Sequence, residues 1–194
     1  MILYLHGFRS SPQSFKARLL AARMAELGLA DAYLCPQLPA SPREAIAVAQ
    51  QLIAVHAGAP LSLIGSSLGG YYATWLAEQT GCRAVLLNPA VHAARDLATQ
   101  VGKTTAYHSN APFEFRPEYV DELKALEIPH ITDPQRYLLM AATGDEVLDW
   151  REMVAHYPHA HHCIIQGSDH GISEFADYLD RVLAFCGIPV SSKV

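Results

Sequence analysis

No run of apolar residues in this chain is long enough to cross a bilayer, so no membrane-spanning helix is expected. No export signal is expected either, since Met1 leads straight into Ile2-Leu3-Tyr4-Leu5 and then a polar loop. A basic surplus is also absent. The 194 residues carry a formal net charge of −5 with lysines and arginines scattered, which excludes the footprint of a nucleic-acid binder. Cysteine is scarce: Cys35, Cys82, Cys163 and Cys186 stand far apart in apolar contexts, without C-x-x-C or metal-ligand spacing. They are expected to be reduced, mostly buried thiols, and with no export signal expected they point to a cytoplasmic location. His159, His161 and His162 cluster near a strand start, but no carboxylate or cysteine accompanies them at ligand spacing, so no metal site is expected. Repeats and low-complexity tracts are lacking.

What remains is a globular balance, 51% apolar and 17% charged, sized for one domain over 1–194. Short apolar runs at 2–5, 32–35, 61–64, 84–87, 137–142 and 162–165 alternate with helical patterns. Several lack polar alternation, as expected of strands covered on both faces in a parallel sheet. Ser11-Pro12 and the capping box Ser41-Pro42-Arg43-Glu44 read as helix starts, and Ser173 as the cap of a final helix stopped by Gly187 and Pro189. The pattern predicts a three-layer α/β domain with a mostly parallel six-stranded sheet. From about 90 to 136 no convincing strand appears. That stretch reads as a lid-like insertion over the sheet's C-terminal edge, offering Phe113, Phe115 and Tyr107 to a substrate pocket.

Gly65-Ser66-Ser67-Leu68-Gly69 fits G-x-S-x-G between a strand and a helix, the setting of a nucleophile elbow. The frame selects Ser67, because Ser66 would need glycine where Ile64 stands. A serine nucleophile needs a base, and the base needs an orienting acid; on this fold the chain order is Ser, Asp or Glu, His. Asp145 follows the 137–142 strand and His170 follows the 162–165 strand, in the right order and slots. Glu146 and Asp149 are rivals for the acid. Glu146 is expected to point away and Asp149 to cap the next helix, while Asp169 neighbours His170 in sequence only. A tetrahedral oxyanion would be met by the backbone N–H of Leu68 and, from the loop after the first strand, that of Phe8. His6 is expected to fix that loop, and Gly7 to let it pass close to Ser67.

Leu5-His6-Gly7-Phe8, Gly65-Ser66-Ser67-Leu68-Gly69-Gly70, Asn88-Pro89-Ala90, Gly144-Asp145-Glu146-Val147-Leu148-Asp149 and the late His170 together resemble the small bacterial α/β-hydrolase esterases of the YqiA/YcfP type. The resemblance covers nearly the whole chain. It implies a minimal α/β-hydrolase fold lacking the first two strands of the larger fold, a triad of Ser67, Asp145 and His170, and carboxylic ester hydrolysis. The expected partner is a small-molecule ester or thioester, with no cofactor. An acyl thioesterase on the same triad and a non-catalytic binding protein with a hydrolase frame are the competing readings. A dehalogenase is disfavoured, since it would carry aspartate at the elbow.

Overall fold

The computed structural model describes residues 1–107, 109 and 111–190. Positions 108 and 110 of the expected lid, and 191–194 of the expected domain, lie outside the described residues. Six strands form one wholly parallel sheet in the order β2-β1-β3-β4-β7-β8: β1 (Ile2–Leu5), β2 (Tyr33–Leu34), β3 (Ser62–Ser66), β4 (Arg83–Leu87), β7 (Tyr137–Ala142) and β8 (His161–Ile165). Every expected run is a strand, the second shortened to two residues. The reason is burial on both faces: all four residues of β1 and all six of β7 are buried.

The chain steps from β1 outward to β2, returns across β1 to β3, and then continues only the other way. Right-handed crossovers therefore put α1 (Phe15–Glu26) on one face and α2 (Pro42–Val55) and α3 (Leu68–Thr80) on the other. Two cores result. Leu20 and Met24 of α1 pack with Val182 and Leu183 of the C-terminal helix α7 (Leu179–Phe185) beneath Ile2, Tyr4 and Ile64. Ala45, Ala49, Tyr72, Leu76 and Met153 cover Leu3, Leu63 and Leu86 opposite. Arg23 ties α1 to α7 through a two-pronged bond to Asp180, at 2.8 and 3.1 Å. The reversal of direction between β1 and β3 is a topological switch point, where open α/β sheets form a crevice at the strands' carboxyl ends.

Residues 90–136 correct the sequence reading, because they contain two strands. Between β4 and β7 run α4 (Ala93–Leu97), an antiparallel hairpin of β5 (Gly102–Thr105) and β6 (Pro112–Phe115), and α5 (Pro117–Lys124). The hairpin is short and mostly exposed, so its pattern is too brief to announce it. Its far side is firmly docked: Leu123 is fully buried and its carbonyl accepts the Tyr71 hydroxyl at 2.8 Å. Two helix starts also differ. Ser11 belongs to a turn, its Oγ accepting Gln13 N–H, and α1 begins at Phe15. Ser173 caps no helix, since both its N–H and its hydroxyl go to Asp169, and α7 begins only after a 3₁₀ turn over Phe175–Tyr178. The remaining helix, α6 (Trp150–His156), starts on Asp149, whose carboxylate accepts Arg151 N–H at 2.9 Å. All four cysteines are free, Cys163 buried and the others half-buried. No helix among the described residues is long and apolar enough to cross a membrane.

At the start of α2, Ser41 Oγ accepts Glu44 N–H at 3.2 Å as the capping box predicts. The reciprocal carboxylate is supplied from α5 instead: Glu122 accepts the Ser41 hydroxyl at 2.7 Å and Arg43 N–H at 3.1 Å. Burial opposes ionisation of Glu122, but those donors and the Arg43 charge outweigh it and hold its carboxyl below the usual 4.5. A depressed folded value means the stabilisation is complete above the unfolded pKa and is lost as pH falls through the folded one. Glu122→Ala is therefore expected to cost about 1 kcal/mol near neutral pH. In urea titrations the gap to wild type should close in acid; a gap independent of pH would remove the carboxylate from this account.

Candidate active site

At the carboxyl ends of β1, β3, β7 and β8 lies a cleft of about 920 Å³, walled by Gly7, Phe8, Lys16, Ser66, Ser67, Leu68, Val147, Leu148, His170 and Gly171 among others. Backbone strain concentrates around it. Of the described non-glycine residues with positive φ, Arg9, Ser67, Asn88 and Ile172 surround the cleft and only His159 lies elsewhere.

Ser67 sits at φ 55°, ψ −121°, between β3 and α3. Backbone packed on backbone imposes this. A Cβ on Gly65 would meet the carbonyl of Gly69, and one on Gly69 would meet the carbonyl of Leu5 in β1, so only glycine lets α3 start this close to the sheet. Ser67 N–H donates to Leu87 O at 3.0 Å, and its carbonyl accepts Gly70 and Ala90 N–H at 2.9 and 3.1 Å. Gly7 passes alongside: a Cβ there would lie 3.2 Å from Ser67 Cβ. The backbone N–H groups of Phe8 and Leu68 donate to no acceptor among the described residues, which leaves two donors free beside the serine.

Asp145 and His170 meet. His170 Nδ1 lies 2.8 Å from Asp145 Oδ2, and the Asp145 side chain is wholly buried. The other carboxylate oxygen accepts Val147 and Leu148 N–H at 2.8 and 2.9 Å, so the acid is locked on both sides. An imidazole held through Nδ1 keeps Nε2 for the cleft. Ser67 and His170 form no hydrogen bond in this conformation. The rival carboxylates are engaged elsewhere. Asp149 caps α6, Asp169 binds Ser173, and Glu146, expected to point away, instead accepts the backbone N–H of His170 at 3.0 Å.

His6 holds the β1 loop as expected. Its Nε2 accepts Leu38 N–H at 2.9 Å, so Nδ1 carries the proton and donates to Gly7 O at 3.0 Å. The three lid aromatics separate. Tyr107 lines the cleft, exposed, with its N–H on Arg9 O and its ring under the Arg9 guanidinium, 4.3 Å from the centroid. Phe113 and Phe115 share one face of β6, and both pack edge-on to Phe8, at 5.1 and 5.3 Å. Phe115 is fully buried and neither lines the cleft, so these two brace the Phe8 loop where substrate contact was expected.

Asn88 is a residue whose position sequence reasoning quoted without a role. Fully buried at φ 42°, it donates through Nδ2 to the carbonyls of Asp169 and His170 and accepts Ala142 N–H at 2.8 Å. One side chain thus joins the ends of β4 and β7 to the His170 turn. Groups of three or more His, Cys, Asp or Glu placed to hold a metal are not found among the described residues.

The sheet order, the strained serine between β3 and α3 and the loops gathered over it define an α/β-hydrolase fold. Solved structures agree. Est1E from Butyrivibrio proteoclasticus with ferulic acid bound matches at a TM-score of 0.75 and 14% identity, over 94% of this chain and 87% of that one. Alpha/beta hydrolase domain-containing protein 10 from mouse matches at 0.70 and 16%, over 94% and 89%. The esterase domain of a Rhodothermus marinus protein matches at 0.67 and 19%, over 94% and 83%. The sequence over residues 1–187 matches the Uncharacterised protein family (UPF0227), and the chain belongs to that family, the YqiA/YcfP family.

Removing the Asn88 amide would strand two partly buried carbonyls and one buried N–H. Asn88→Ala is expected to lower stability by roughly 3 kcal/mol in denaturant titration. A loss under about 1 kcal/mol would mean that water or a local shift satisfies those groups.

Proposed function

We propose that this protein is a serine hydrolase that cleaves carboxylic esters through an acyl-enzyme intermediate. One observation carries the reading: the locked Asp145–His170 pair, at 2.8 Å, shares a cleft with a strained serine flanked by two unused backbone donors. The substrate carbonyl carbon sits at Ser67 Oγ and its oxygen faces the N–H groups of Phe8 and Leu68. As the Oγ–C bond forms, His170 Nε2 takes the hydroxyl proton and the carbonyl π pair moves onto oxygen. Each donor is worth about 3 kcal/mol to that oxyanion. The pair returns, the bond to the leaving oxygen breaks, and His170 hands it the proton. Water then repeats the attack on the acyl-Ser67 ester, freeing the acid and the serine. Asp145 keeps Nδ1 protonated throughout and stabilises the imidazolium.

The missing Ser67–His170 bond fits a site without substrate, where such bonds are often formed only in the complex. Phe15, Tyr107 and Val147, all exposed, line the cleft and suit an apolar portion of the ester. The structural relative named as an esterase domain supports ester chemistry. A thioester would follow the same route with sulfur leaving, and a matched ester and thioester pair separates the two.

Labelling with a fluorophosphonate, read by intact mass, is the test. One adduct is expected on wild type and Ser66→Ala and none on Ser67→Ala. Asp145→Asn should lower turnover by roughly 10⁴ through the wrong imidazole tautomer. A folded wild type that takes no adduct would replace this reading with that of a binding protein on a hydrolase frame.

A further inference from the structure

Lys16 is in the wrong place for a lysine kept only for stability. It occupies the first turn of α1, where the helix dipole repels a cation. It is nine-tenths buried. Its ammonium donates to Gly171 O at 2.7 Å and forms no ion pair with a carboxylate among the described residues. Burying a charge is costly unless it is paired, and no carboxylate contacts this ammonium directly, since Asp169 and Asp145 act on it only from the neighbouring loops; the position can therefore take a further anion. Lys16 is also the only lysine or arginine on the cleft wall among the described residues.

The surroundings are built for the same ligand. Ser14, the residue before α1, also lines the cleft, and its side chain caps nothing. Its hydroxyl oxygen is buried without a well-formed hydrogen bond, although the Tyr4 hydroxyl lies nearby. The N–H groups of Phe15, Lys16 and Ala17 donate to no acceptor among the described residues. The Lys16 ammonium, the Ser14 hydroxyl beside Tyr4 and the uncapped start of α1 all belong to residues of the wall that also holds Ser67 and His170.

We infer that the α1 end of the cleft is a carboxylate-binding subsite, and that the ester this protein cleaves carries a free carboxylate held by Lys16, Ser14 and the first amides of α1. The inference rests on the esterase reading above. A monoanion suits the charge balance, because the carboxylates that act on Lys16 from the neighbouring loops, Asp169 and Asp145, already bring negative charge close. Burial pushes the Lys16 ammonium down to about 8, with Asp169 and Asp145 opposing the shift. Recognition of the carboxylate is therefore strongest below that pH and fades as pH rises through it.

The experiment compares esters bearing a terminal carboxylate with their carboxamide isosteres, on the acyl side in one pair and on the leaving group in a second. Wild type, Lys16→Met and Ser14→Ala are assayed at pH 7 and pH 9. In at least one pair the carboxylate-to-carboxamide ratio of kcat/KM is expected to fall about tenfold in Lys16→Met and severalfold in Ser14→Ala. In wild type the same ratio should fall between pH 7 and pH 9. Ratios that the substitutions leave unchanged overturn the subsite, and so does a proportional loss on both members of each pair, which is the mark of a structural tether. Should wild type cleave none of the four esters, the esterase reading fails on its own. Calorimetry with glutaramate and the neutral pentanediamide then decides the subsite: carboxylate-selective binding abolished in Lys16→Met supports it, and no such binding overturns it.

Discussion

Close contact between backbones at the β3–α3 turn is the constraint on which the rest depends. Gly65, Gly69 and the Leu5 carbonyl leave no room for a Cβ, so α3 begins hard against β1 and β3. Ser67 then has only one way to bridge strand and helix, at φ 55°. The same contact brings Gly7 of the β1 loop alongside the serine. Position is fixed by the main chain, which side-chain motion cannot undo.

The second half of the site is held differently. The His170 turn has little regular structure of its own, and its place comes from side chains reaching in from elsewhere. Asn88 takes two of its carbonyls, Glu146 takes the His170 amide, Lys16 takes the Gly171 carbonyl and Asp145 takes the ring. Ile172 pays for an unfavourable φ of 51° with complete burial in the α1–α7 core. A rigid turn at Ser67 thus faces a braced turn at His170.

Much of this was legible in the residues, for physical reasons. Parallel strands buried on both faces read as unbroken apolar runs, as β1, β4 and β7 do. The strained turn at Ser67 showed because steric crowding demands glycine at fixed spacing around the serine. The Asp145–His170 contact showed because both residues stand just past strand ends. The β5–β6 hairpin did not show, since two short, mostly exposed strands with only Phe115 fully buried leave too brief a pattern. Phe113 and Phe115 were read as pocket walls because composition does not say which way a strand faces. The roles of Asn88 and Lys16 were hidden by distance along the chain: their bonds to the His170 turn span 81, 82 and 155 residues.

Docked by α5 and clasped to Arg9 through Tyr107, the insertion walls one side of the cleft. The claim at the centre is that the Ser67 oxygen becomes covalently acylated during turnover. Rapid mixing with an activated ester such as p-nitrophenyl acetate measures that directly. The account predicts a fast burst of p-nitrophenol approaching one equivalent per chain, followed by slower steady turnover, with the burst lost in Ser67→Ala. Hydrolysis that persists unchanged in Ser67→Ala would contradict it.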